Sequence, residues 1–382
     1  MPDRRRRAGG WDHEFGGWRE CDHPGTEPPK QEWMKEMSDL KSVDRRSRLS
    51  AGRLLCLCLA LGLVGVSTTA GGQDLKRDPA KVTGPDACGE CHKSSVSAWK
   101  RTHHATTFKT LPRNKGARAM AKKLGLKRIK SESVCLSCHF TSAMKGDKVR
   151  PIAGVTCESC HGAGKDWIKP HGDYGGREVT RETESADHRR ERYAKSEAAG
   201  MIRPVRLYSV AANCYGCHTV PNERLVNVGG HPAGSKFELV SWSQGEVRHN
   251  VWYSKQNDEA PAERKRMMYI LGKALDLEFG LRGLAKATEK ATYAKAMARR
   301  AKRAENAIKK IADVVDAPEI KEILATGAGA RLKLNNAAEL RAAADKVAAA
   351  ARKFAEGYDG SGFAKVDFLV PVAKDFKGDA FR

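Results

Sequence analysis

Apolar residues recur at three- and four-residue steps through the last third of the chain. Met267, Ile270, Ala274, Leu277, Leu281 and Leu284 form one such stripe. Tyr293, Met297, Ala301, Ala304, Ile308, Ile311 and Val315 form another, and Leu340, Val347, Ala351 and Phe354 a third. Charged residues fill the positions between, so each run predicts an amphipathic α-helix. Asp316-Ala317-Pro318-Glu319 reads as an N-cap, an early-turn proline and a capping-box glutamate. Gly327 to Ala330 breaks the pattern and Asn335-Asn336 restarts it. The stripes predict three or four antiparallel helices over 255–357, with alanine seams that allow close packing, and an extended tail over 358–382. Met267, Met268 and Met297 lie on the stripes and read as core rather than as metal ligands.

Residues 71–254 show a different pattern. Gly, Pro and single aromatics separate short helical pieces, expected at Ser94–Phe108, Ala117–Leu124 and Ser185–Ala199, and no rigid sheet is evident. Large aliphatic residues are sparse there, so this part must build its core around something other than side chains. The fold class expected is mainly α, a loop-rich segment with short helices followed by an all-α bundle.

One five-residue pattern occurs four times in the loop-rich part: Cys88-Gly-Glu-Cys91-His92, Cys135-Leu-Ser-Cys138-His139, Cys157-Glu-Ser-Cys160-His161 and Cys214-Tyr-Gly-Cys217-His218. C-x-x-C-H is the attachment signature of c-type haem. Each thiol adds to one vinyl group of the porphyrin, two residues bridge its edge, and the histidine gives its imidazole to iron. Paired C-x-x-C motifs also make Cys₄ zinc knuckles, yet that reading leaves a histidine unexplained four times. A thioredoxin-like redox pair needs one motif in a βαβ setting. The expected cofactor is four covalently bound haem c groups, which would supply the missing core.

Covalent haem attachment takes place outside the bacterial cytoplasm, and an export signal is present. Arg45, Arg46, Arg48 and Arg53 precede an apolar run of 13 residues, Leu54 to Val66, ending in Ser67-Thr68-Thr69-Ala70. These are the n-region, h-region and cleavage point of a signal peptide, too short and glycine-broken for a membrane span. The protein is expected in the periplasm with no integral span after cleavage. Polar residues 1–33 precede the signal, which places the expected start at Met34 or Met37. Cys21, Cys56 and Cys58 then leave with the leader, and the eight motif cysteines remain.

The charge is strongly positive. Setting aside the 12 Lys/Arg and 10 Asp/Glu of residues 1–70 leaves 57 basic against 36 acidic residues, a net +21. Eight haem propionates would lower this to about +13. An exported haem protein rarely meets nucleic acid, so the charge points to donor and acceptor redox proteins with acidic surfaces, to an anionic substrate, or to solvated helix faces and propionate counter-ions. No Ser/His/Asp or paired-carboxylate constellation stands out.

The stretches around Trp99, His104-Ala105, Gly154-Val155, Cys157-Glu158-Ser159-Cys160-His161-Gly162 and the trailing His171 resemble the tetrahaem cytochrome c-554 family, kin to hydroxylamine oxidoreductase and pentahaem nitrite reductase. The resemblance covers roughly Cys88 to His218 and stops short of the C-terminal helices. It implies distal ligands from elsewhere in the chain: His104 for the fourth haem, His171 for the first, and His231 or His249 for the third. It also implies a five-coordinate second haem, open to a small ligand. Two features of this chain depart from the family pattern: only 17 residues separate His139 from Cys157, and two late histidines stand where one is expected. Counting both His231 and His249 as ligands gives every iron a distal histidine. His103, beside His104, and His188, in a charged helix, are expected to be surface residues. The sequence thus supports an electron carrier, with a haem enzyme acting on a small nitrogen or sulfur compound as the alternative.

Overall fold

The computed structural model describes residues 78–131, 133–252 and 256–381. The expected export signal and cleavage point, the 1–33 stretch and Cys21, Cys56 and Cys58 all lie outside the described residues.

The motif-bearing part is a succession of short helices: α1 Pro85–Gly89, α2 Lys93–Lys100, α3 His103–Thr110, α4 Lys115–Lys123 and α5 Ser133–His139, then α6 Glu158–His161, α7 Ile168–Gly172, α8 Ala186–Ala198, α9 Leu207–His218, α10 Glu223–Asn227 and α11 Leu239–Ser243. Small polar residues set their starts. Thr102, Asn114, Ser185 and Asn222 each accept a hydrogen bond from the backbone N–H three residues on, satisfying a donor that the first turn leaves open. The helix expected over Ser94–Phe108 is two helices for this reason: Thr102 adopts an extended backbone and caps α3.

A two-stranded hairpin went unread in the sequence. Strands β1 (Thr141–Lys145) and β2 (Lys148–Ala153) pair antiparallel, with Met144 opposite Val149. Gly146, at φ 58°, supplies the left-handed turn, and Gly146-Asp147 between two short runs was the signal available.

Four long helices follow: α12 Ala262–Ala285, α13 Thr292–Ala312, α14 Pro318–Gly329 and α15 Ala337–Gly357. Their stripes meet as the periodicity requires, with Ile270, Leu277, Leu281, Met297, Ile308, Ile311, Ile320, Val347 and Phe354 all fully buried. Met267 and Met268 are buried with them. Small residues let α12 and α13 approach closely: a Cβ at Gly280 would lie 2.9 Å from the backbone nitrogen of Ala301. Position 316 differs from its expected role. Ala317 occupies the N-cap with Pro318 behind it, Asp316 pairs with Lys321, and Glu319 turns to Lys353 and Tyr358. With no hydroxyl at 317 there is no capping box.

The bundle core runs without interruption into the motif-bearing half. Leu207, Tyr208, Ala211 and Tyr215 of α9 belong to the same buried cluster as α12–α15, and the Tyr208 hydroxyl donates to Glu278 on α12 at 2.7 Å. The tail, expected as extended, carries 3₁₀ turns at Ser361–Leu369 and Ala373–Asp375. Phe363 and Val366 are buried in that core, and Asp367 takes a two-pronged bond from Arg266, 2.7 Å each way. Such anchors hold the tail in turns. A second, smaller cluster gathers Ala121, Ile129 and Phe140 with Cys135 and Leu136. Among the described residues no helix is long and apolar enough to cross a membrane.

Candidate haem sites

Each C-x-x-C-H motif lies on one helical turn. The second, third and fourth end α5, α6 and α9 at His139, His161 and His218, while the first spans the α1–α2 junction with His92 at the N-cap of α2. Residues three apart share a helix face, so both cysteines of a motif point the same way with the histidine beside them.

Every motif histidine faces a second imidazole. His92 stands opposite His171 with ring centroids 6.2 Å apart, and His139 opposite His231 at 6.4 Å. His161 faces His249 at 6.3 Å and His218 faces His104 at 6.2 Å. Two imidazoles on one metal, with bonds of about 2 Å, would put their centroids about 6 Å apart. Direct ring packing needs no such uniform gap. His171 adds a buried Nδ1 without a hydrogen-bond partner. These residues fit a metal-centred porphyrin between each pair, with thiols beside it.

Burial favours the neutral, ligating form of six of these imidazoles. It pushes His161 and His218 down to about 4 and His171 to about 3, and it also lowers His92, His104 and His139. Several rings are oriented through Nδ1: His161 to the Ile202 carbonyl at 2.9 Å, His249 to Val247 at 2.8 Å and His231 to Pro232 at 2.9 Å. Such outer bonds fix the ring and raise its basicity. His218 is different, meeting the Ser235 hydroxyl at 3.1 Å.

The motifs also touch one another. The thiols of Cys88 and Cys157 are in hydrogen-bond contact, joining the first motif to the third. Asn213, just ahead of Cys214, donates to the Cys160 carbonyl at 2.9 Å, joining third to fourth. Thr107 donates to the His139 carbonyl at 3.0 Å from the helix that carries His104, joining second to fourth. The residues that carried the resemblance have structural work. Trp99 donates to Val155 O at 2.7 Å, and Val155 N to His104 O at 2.9 Å. A Cβ at Gly154 would lie 2.1 Å from His104 O, so only glycine fits.

Sequence reasoning missed the part played by Glu158. Its carboxylate is wholly buried and accepts from the backbone N–H of Thr83 at 2.9 Å, Gly84 at 2.8 Å and Gly164 at 2.7 Å. The only signal was an acidic residue between two cysteines. Among the described residues two histidines stay outside the pairs: His103 contacts Glu246 at 2.6 Å and His188 contacts Glu184 at 2.7 Å. Among the described residues no three His, Cys, Asp or Glu converge as a metal-ion site.

Residues 87–162 match the family described as cytochrome c554 and c-prime. This motif-bearing segment is similar to the cytochrome c-554 family. The cytochrome c-554 of Nitrosomonas europaea is 34% identical over 125 residues, 30% of this chain and 53% of that protein. The chain thus spans about half the length of this curated relative. No solved structure matches the chain. The likeness to the cytochrome c-554 family implies covalently bound c-type haem on these motifs, and haem supplies reversible one-electron iron chemistry.

Proposed function

We propose that the protein is a periplasmic tetrahaem electron carrier in which every iron is held between two histidines. The pairs are His92 with His171, His139 with His231, His161 with His249, and His218 with His104. The attachment thiols are Cys88 and Cys91, Cys135 and Cys138, Cys157 and Cys160, and Cys214 and Cys217. The observation that carries this reading is the set of four opposed imidazole pairs at a uniform 6.2–6.4 Å. An enzyme for a small nitrogen or sulfur compound needs an open coordination position. The resemblance would leave that position at the second haem, but His231 stands across from His139 there. A carrier with four closed sites is therefore favoured.

The motif contacts support an order first, third, fourth, second, with the first and second sites at the ends. The second site carries the charge. Residues 109–150 hold 12 Lys/Arg against two Asp/Glu, a net +10, whereas 157–200 hold eight against nine. Lys109, Arg113, Lys122, Lys123, Lys127 and Arg128 are exposed around the small core that contains Cys135. Met144 and Val149 add exposed apolar surface at the hairpin. An apolar spot among unneutralised cations suits a redox partner with an acidic face.

Intact mass of the exported holoprotein should exceed the cleaved polypeptide by four haems. Its electron paramagnetic resonance spectrum should be low-spin throughout, with no carbon monoxide binding to the reduced protein. His231→Ala should then create one high-spin, carbon-monoxide-binding site. Carbon monoxide binding by the unaltered protein, with a spectrum indifferent to that change, would put the enzyme reading first.

A further inference from the structure

Ser235 is held three ways beside the fourth site. Its N–H donates to the carbonyl of His218 at 3.0 Å, its hydroxyl meets His218 Nδ1 at 3.1 Å, and its carbonyl accepts from Arg300 Nη2 at 3.0 Å. Arg300 comes from α13 in the bundle, is 8% exposed, and makes an ion pair with Asp276 of α12 through its other nitrogen, Nη1. The guanidinium lies against the His218 turn itself: a Cβ at Gly234 would lie 2.7 Å from Nη2 and 3.3 Å from His218 O. None of these bundle residues falls within the segment that matches the family.

A buried ion pair is costly to desolvate, and a well-packed apolar pair in its place is often as stable or more so. Its position offers another role. Burial strengthens electrostatics, and the positive end of the pair points at the ligand while the negative end stands behind it. A cation disfavours ferric iron more than ferrous. The hydroxyl acceptor also draws less on Nδ1–H than the carbonyls that hold His161 and His249, so the imidazole of His218 stays less basic.

We propose that Arg300, oriented by Asp276, is a positioning residue that raises the reduction potential of the fourth haem, making the helical bundle part of the redox machinery. The inference rests on the four-haem reading above. The fourth site's redox component is identified as the one displaced by His104→Met. Potentiometric titration of the full-length holoprotein, followed optically and by paramagnetic resonance, then reads its midpoint in each variant.

Arg300→Met should move that component to lower potential and leave the other three in place. Arg300→Lys should retain most of the original value. Asp276→Asn, which leaves the cation unbalanced, should move the same component up. Arg299→Met, an exposed neighbour on the same helix, should move nothing. Shifts of the same sign for Met and Asn, or none with four low-spin haems still present, would overturn the proposal. If Arg300→Met does not fold, the upward shift in Asp276→Asn and its absence in Arg299→Met still decide the matter. Absence of the fourth haem from the unaltered holoprotein would refute the underlying reading first, and this inference with it.

Discussion

Glu158 shows how one side chain positions two haem motifs. It sits inside the third motif, yet its carboxylate holds the backbone of Thr83 and Gly84, just ahead of the first, and of Gly164 behind. Buried N–H groups that lose their acceptor cost about 1–3 kcal/mol each. Glu158→Ala strands three of them and frees the segment leading to Cys88, which contacts Cys157. Its expected cost is about 3 kcal/mol or more, read as a lower denaturant midpoint of the holoprotein at unchanged slope. A loss below about 1 kcal/mol would mean that water replaces the carboxylate without harm.

At the scale of elements, the bundle depends on the closeness of α12 and α13. Gly280 faces the Ala301 backbone across that crossing, where neither neighbour is a flexible side-chain end that can swing away. Gly280→Val forces the helices apart, an overpacking that costs about 1–3 kcal/mol. Thermal unfolding should fall by about 2–4 °C for each kcal/mol. Gly329→Ala, with nothing within 4 Å of the new methyl, is the matched control and should leave the melting temperature within a degree or so. Equal melting for both variants would show that the crossing tolerates repacking. The change of composition near residue 255 still motivates a haem unit over 71–254 and a helical unit over 255–357. Their shared core at α9 makes α12 a floor for the fourth motif as well as a bundle helix.

For the whole molecule, charge is unevenly spread, and the most basic stretch surrounds the second motif. Exposed charges are screened beyond about 8–10 Å at physiological ionic strength, so steering should fade with salt. Reduction of the holoprotein by reduced anthraquinone-2,6-disulfonate, a dianion, should slow on the order of tenfold between low and moderate salt. Replacing Lys122, Lys123 and Lys127 by Glu should bring the low-salt rate down toward that of high salt. The same reversal at Lys295, Arg299 and Lys309, exposed on α13, should have a much smaller effect. Equal effects at the two places would assign the positive charge to solubility alone.

The sequence by itself determined whatever is written at short range. The four C-x-x-C-H motifs are covalent patterns within one helical turn, and the stripes of α12 to α15 follow from a period of 3.6 residues, so both were legible without coordinates. The hairpin was missed because a single Gly-Asp turn between short, half-polar strands is a weak local signal. Which distal histidine faces which motif was another matter. The resemblance pointed His104 to the fourth site and His171 to the first, but left His231 and His249 competing. Tertiary structure brings His231 to His139 and His249 to His161. It also brings Arg300 to Ser235 and Glu158 to Thr83. These pairings join residues far apart in the chain, and nothing in the local pattern around either partner names the other. They arise only when helices pack, because burial makes each unmatched polar group too costly to leave alone and so selects the one arrangement that satisfies them together.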